Sequence, residues 1–116
     1  MILGLDVSTS RIGWAIITDE GEYVDSDFFK MKPKTPLEER AESLEQQVLE
    51  PIFAKYIINE VRIEEPFSMF SGGKTTAKTM SSLQRFNGMV SLLAYQHLGK
   101  PPTMVGKRIF ARSHDC

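Results

Sequence analysis

The sequence predicts an α/β fold, a mixed sheet of about five strands flanked by helices. Three observations carry this. Short apolar runs separated by turn residues open the chain, near Ile2–Val7, Gly13–Thr18 and Tyr23–Met31. Two stretches with apolar residues at helical spacing follow. A short apolar run comes after each, at Glu60–Pro66 and Thr103–Gly106. Strands in hairpins followed by helix, strand, helix, strand require a sheet with both antiparallel and parallel pairs.

Each element has its own signal. Asp19-Glu20-Gly21-Glu22 is a turn between the second and third strands, and Lys32-Pro33-Lys34 breaks the third. The first helix has a start signal: Thr35 as cap, Pro36 at the first helical position and Glu38 closing a capping box. Leu37, Ala41, Leu44, Val48 and Ile52 line one face of it, and Pro51 is expected to bend or interrupt it. The fourth strand stops at Pro66. Phe67–Lys74 is a glycine-containing loop, and a second helix is expected over Thr75–Leu98. Met80, Leu83, Val90 and Leu93/Ala94 are its expected core positions. Gly88 inside this helix costs roughly 1 kcal/mol against alanine, so close packing on the sheet is expected there. Trp14, Phe28, Phe29 and Phe53 are expected in the core, and His97 is expected to pack or cap.

At 116 residues the chain has the length of one domain, and its 41% apolar content suffices for a core. No apolar run approaches the roughly eighteen residues of a membrane span. The N-terminus lacks the basic-then-apolar pattern of a secretory signal. The single cysteine, Cys116, has no internal partner, which suits a reducing, cytoplasmic setting. Net charge is only −1, but it is unevenly spread. Residues 1–66 hold seven Lys/Arg and fourteen Asp/Glu, whereas residues 67–116 hold seven Lys/Arg and one Asp. An acidic part and a basic part can offer metal ligands and a phosphate-binding surface together.

Asp6 interrupts an otherwise apolar first strand. Burying a carboxylate costs several kcal/mol unless something offsets it, and a metal ion is a common compensation. Glu64-Glu65 ends the fourth strand. If those strands are neighbours, their carboxylates repel, and a divalent cation removes the conflict. The ligands are all oxygen, which favours Mg²⁺ or Mn²⁺. Glu64 is the favoured ligand and Glu65 a helper or bystander. Ordinary solvated acids at strand ends are the competing explanation.

These residues resemble a known family. Leu3-Gly4-Leu5-Asp6-Val7-Ser8 with Gly13-Trp14-Ala15-Ile16 resembles the first motif of the RuvC-type Holliday-junction resolvases, within the RNase H-like superfamily. Arg62-Ile63-Glu64-Glu65-Pro66-Phe67 resembles their second motif, and Ser82–Gly88 their next segment. The likeness spans nearly the whole chain in element order. It implies an RNase H-like nuclease domain over residues 1–116 that hydrolyses phosphodiester bonds at a four-way DNA junction, as a homodimer, in a bacterial or phage setting. Asp6 and Glu64 would be catalytic metal ligands, and Phe67 would stack on unpaired bases. The family completes its site with further acids near the C-terminus. Asp115, next to His114, is the only acid after Glu65 and a poor match, so the chain is read as lacking that motif.

Lys74, Lys78 and Arg85 fall on one face of the second helix, with Ser71, Thr75 and Gln84 near them, and Lys107, Arg108 and Arg112 extend the charge. They are the candidate DNA-binding residues, although a lone lysine is more often just a solvated side chain. Gly73-Lys74-Thr75 matches only the end of a phosphate loop, because Ser68 stands where its first glycine belongs. Three rivals remain: an actin-like sugar kinase, which Asp6, Ser8-Thr9-Ser10 and Gly13 also resemble; a nuclease processing ribosomal RNA precursors; and a non-catalytic DNA-binding module.

Overall fold

The computed structural model describes residues 1–65 and 77–106. Its strands are β1 (Ile2–Val7), β2 (Arg11–Ile17), β3 (Tyr23–Lys30), β4 (Glu60–Glu64) and β5 (Thr103–Val105). They form one sheet in the order β3-β2-β1-β4-β5. β1 pairs antiparallel with β2, and β2 with β3. β4 joins β1 and β5 in parallel. The helices are α1 (Leu37–Leu44), α2 (Glu50–Lys55) and α3 (Ala77–Leu98).

Strand alternation sorts the side chains into two faces. Leu3, Leu5 and Val7 of β1 share a face with Ile12 and Ile16 of β2 and Val61 and Ile63 of β4. All are buried, in one cluster with Ala41, Leu44, Val48, Leu49, Ile52, Phe86, Val90 and Ala94 of the helical segments. The helices therefore cover this face. The other face carries Gly4, Asp6, Gly13, Ala15, Phe28, Arg62 and Glu64, and among the described residues no helix covers it.

Pro51 has the expected effect in an unexpected form. α1 runs into a π-helical turn at Glu45–Leu49 before α2 begins, with Pro51 in its first turn. Proline lacks an N–H and its ring clashes with the carbonyl four residues back; a wider turn relieves both. α3 ends at Gly99, whose φ of 81° a side chain would resist; its N–H donates to the Tyr95 carbonyl at 2.8 Å.

Several expectations need correction. Thr35 is not the helix cap. Its hydroxyl donates to the Lys32 carbonyl at 2.8 Å and accepts from Arg40 Nε at 3.3 Å, while Pro36 occupies the cap position in an extended conformation. Phe28 is not core: it is 64% exposed, because neighbouring Phe29 takes the face that packs on the core. Gly88 does not pack on the sheet; it lies on the exposed side of α3, and nothing lies within 4 Å of the position its Cβ would take. Met80, Leu83 and Leu93 are half-buried, and Phe86 is the fully buried anchor of α3. Trp14, Phe29 and Phe53 pack against the core. His97 stacks on Phe53 with centroids 5.0 Å apart, and its Nε2 lies 3.3 Å from Glu45 Oε2, a packing role as expected.

Candidate active site

The site is set by register. In the parallel ladder Ile2 faces Glu60 and Leu5 faces Ile63. The ladder closes with that pair, and Asp6 and Glu64 are the next residues on their two strands. Hydrogen-bonded strands lie about 4.8 Å apart. By alternation both side chains belong to the open face, on neighbouring strands. Glu64 is in turn paired in register with Val105 of β5. All three positions are at the C-terminal ends of parallel strands, where open α/β sheets bind ligands.

Asp6 is exposed rather than buried, so the desolvation argument made from the sequence does not apply to it. It has no protein hydrogen-bond or ion-pair partner among the described residues. Its Cβ flanks Gly13, its register partner on β2. The β1–β2 turn beyond it is firmly held. The Ser8 hydroxyl donates to the Arg11 carbonyl at 2.6 Å and accepts from the Arg11 N–H at 3.1 Å. Met31 N–H donates to the Ser10 carbonyl at 2.9 Å, and Arg40 Nη1 to the Thr9 carbonyl at 2.7 Å.

Glu64 is half-buried, and its backbone is fixed from α3. The Asn87 side-chain amide donates to the Glu64 carbonyl at 3.3 Å, and Asn87 is only 5% exposed. Sequence reasoning assigned Asn87 no role. The available signal was a polar residue one turn beyond Leu83, on the helix's apolar face. Glu65 is exposed; its N–H donates to the Val105 carbonyl at 2.8 Å, and alternation sends its side chain away from Asp6.

Beside the turn lies a cleft of about 470 Å³, lined by Thr9, Arg40, Lys78, Ser82 and Arg85 among others. The fold thus brings Lys78 and Arg85 together as the helical spacing implied, and adds Arg40. Arg85 is exposed and lies 4.0 Å from Glu38 Oε2. A larger hollow of about 570 Å³ occupies the opposite, N-terminal end of β1 and β4. Its charges largely neutralise one another: Arg62 Nε donates to Glu60 Oε2 at 2.9 Å, which holds the Glu60 carboxyl below its ordinary value. Phe67, Lys74, Ser71, Thr75, Lys107, Arg108, Arg112, His114, Asp115 and Cys116 lie outside the described residues.

Among the described residues no group of three or more His, Cys, Asp or Glu side chains is placed to hold a metal ion. The pair Asp6 and Glu64 offers two hard oxygen donors, a fit to Mg²⁺ or Mn²⁺ that leaves the remaining positions to other oxygens. No described helix is long and apolar enough to cross a membrane.

No protein-family model matches the sequence, and no curated protein matches it. Solved structures do. RuvC of Thermus thermophilus in complex with a Holliday junction substrate is similar over 97% of this chain and 68% of its own, with a TM-score of 0.75 at 18% identity. Another T. thermophilus RuvC structure is similar over 90% of this chain and 63% of its own, with a TM-score of 0.65 at 22% identity. The ROK hexokinase of T. thermophilus is similar more distantly, at a TM-score of 0.52 and 15% identity, over 90% of this chain and 34% of its own. With its mixed five-stranded sheet and flanking helices, the chain has the RNase H-like fold seen in the RuvC structures.

Proposed function

We propose that this chain is a metal-dependent endonuclease domain acting on branched DNA by phosphodiester hydrolysis. The position of Asp6 and Glu64 directly after the paired Leu5 and Ile63, at the C-terminal ends of neighbouring parallel strands, supports this reading. The two residues would hold Mg²⁺ or Mn²⁺, because they offer two hard oxygen donors on neighbouring strands. A divalent cation bound there supplies Lewis acidity to the scissile phosphate and lowers the pKa of the attacking water. Remaining donors come from water, substrate phosphate or acids outside the described residues.

The protein's own part is positioning. Exposed Asp6 is open to a phosphodiester approaching the sheet. Asn87 steadies the strand end that carries Glu64. Lys78, Arg85 and the cleft beside the β1–β2 turn grip flanking phosphates, without reading sequence. Phe67 stacks on unpaired bases and Lys74 adds a phosphate contact, while Glu65 is a bystander. Two copies acting together would nick two strands. Leu92 and Tyr95, exposed by 55% and 49% on α3, are the surface a second copy would cover. RuvC in its junction complex, the structure similar over most of this chain, supports a four-way junction as substrate.

The test is incubation of the chain with a labelled four-way junction and a matching duplex in Mg²⁺, with Asp6→Asn as control. Selective cleavage that disappears in Asp6→Asn is expected. Cleavage indifferent to Asp6→Asn would refute the assignment. Junction binding without cleavage by the parent would mean at most half a nuclease site, and binding that also survives Asp6→Asn would favour the non-catalytic module. Stoichiometric ATP binding without DNA binding would point to the kinase-like alternative.

A further inference from the structure

We infer that Phe28 and Arg11 form a second nucleic-acid contact, a cation-backed aromatic platform that takes an unstacked base of the substrate strand beside the Asp6–Glu64 pair. This rests on the nuclease reading and adds a substrate subsite to it.

The placement is set by the sheet. Asp6 pairs with Gly13, and Gly13 pairs with Phe28. Asp6, Gly13 and Phe28 therefore form one row across three strands on the open face, with Glu64 on the neighbouring strand. Gly13 makes the row a shallow groove. A Cβ there would lie 3.4 Å from Phe28 Cε1 and 3.8 Å from Asp6 Cβ, so the ring edge and the carboxylate's stem face each other across the glycine.

Phe28 is not needed for packing. It is 64% exposed, and Phe29 serves the core. The Arg11 guanidinium lies over its ring, 5.0 Å from the centroid, a cation–π contact. The Arg11 backbone is clamped by Ser8, and Lys30, its register partner, adds a second positive charge to the same face. A flat, anionic occupant suits a ring flanked by two cations. A nucleotide meets both requirements: its base stacks on the ring and its phosphate pairs with the guanidinium. An apolar protein partner would have to desolvate Arg11 without a counter-charge, which is costly.

The experiment measures binding of a labelled four-way junction by anisotropy in EDTA, cleavage in Mg²⁺, and thermal melting, for the parent, Phe28→Ala, Phe28→Leu, Phe28→Trp and Arg11→Gln. Stacking on one base corresponds to roughly a five- to 150-fold loss of affinity on removal of the ring. Phe28→Ala and Phe28→Leu should both show such a loss with unchanged melting, and Phe28→Trp should retain binding. Arg11→Gln should weaken binding and flatten its salt dependence. Parent-like affinity in Phe28→Ala would overturn the inference and leave the nuclease reading standing. A lowered melting point rescued by Phe28→Leu would also overturn it, since the residue would then be a packing group. A parent chain that neither binds nor cleaves DNA would remove both readings.

Discussion

The buried amide of Asn87 donates to the backbone carbonyl of Glu64, 3.3 Å away, so a helix residue fixes the strand end that carries the acid. Asn87→Leu keeps the bulk and removes this donor to the Glu64 carbonyl. A loss of about 1–3 kcal/mol of stability is expected, read from urea unfolding midpoints at unchanged slope. Cleavage should fall in conditions where the variant is still fully folded. Stability and cleavage equal to the parent would show that the strand end needs no such anchor.

Gly88 lies on the exposed side of α3 with open space where a Cβ would go. Gly88→Ala should therefore stabilise the chain by up to about 1 kcal/mol, the helix-interior penalty of glycine. Thermal unfolding at neutral pH measures this. A lowered melting temperature would mean that another surface approaches α3 at that point.

Lys78 and Arg85 line the cleft beside the β1–β2 turn. If both meet phosphates, the double variant Lys78→Gln/Arg85→Gln should bind junction DNA more weakly at low salt and converge on the parent at high salt. The slope of log affinity against log salt should shrink by about 2, close to one for each phosphate that the variant leaves without its cation. An unchanged slope would return both side chains to ordinary solvation.

The Glu60–Arg62 pair gives a small pH signature. Hydrogen bonding from Arg62 holds the Glu60 carboxyl below its ordinary value. The pair's contribution is therefore complete above the ordinary glutamate range and is lost as pH falls through the lowered folded-state value. Both side chains are about a third exposed or more, so the effect is small and screened by salt. Glu60→Gln should reduce the acid sensitivity of unfolding at low ionic strength and leave stability at pH 7 nearly unchanged.

The strands and helices were legible because their signals are local. Alternation, turn residues and helical spacing placed all five strands and α3 to within a few residues. That Asp6 and Glu64 lie near the ends of neighbouring parallel strands was legible because each interrupts or ends an apolar strand. The sequence could not supply the face. Adjacent Phe28 and Phe29 cannot both point inward in one strand, and only the three-dimensional sheet shows that Phe29 packs inward while Phe28 is exposed. The burial inferred for Asp6 failed for the same reason, since its strand has one covered face and one open face. Thr35 was misassigned because a local turn to Lys32 competed with capping. Asn87 was missed because its partner is a backbone carbonyl distant in sequence.

The pairing of Asp6 with Glu64 as metal ligands is tested most directly by titrating the chain with Mn²⁺, read by the electron paramagnetic resonance of the free ion, beside Asp6→Asn and Glu64→Gln. The expected result is a saturable Mn²⁺ site in the parent that is weakened or lost in each variant, with folding intact by circular dichroism. Equal Mn²⁺ binding in all three proteins would contradict the assignment.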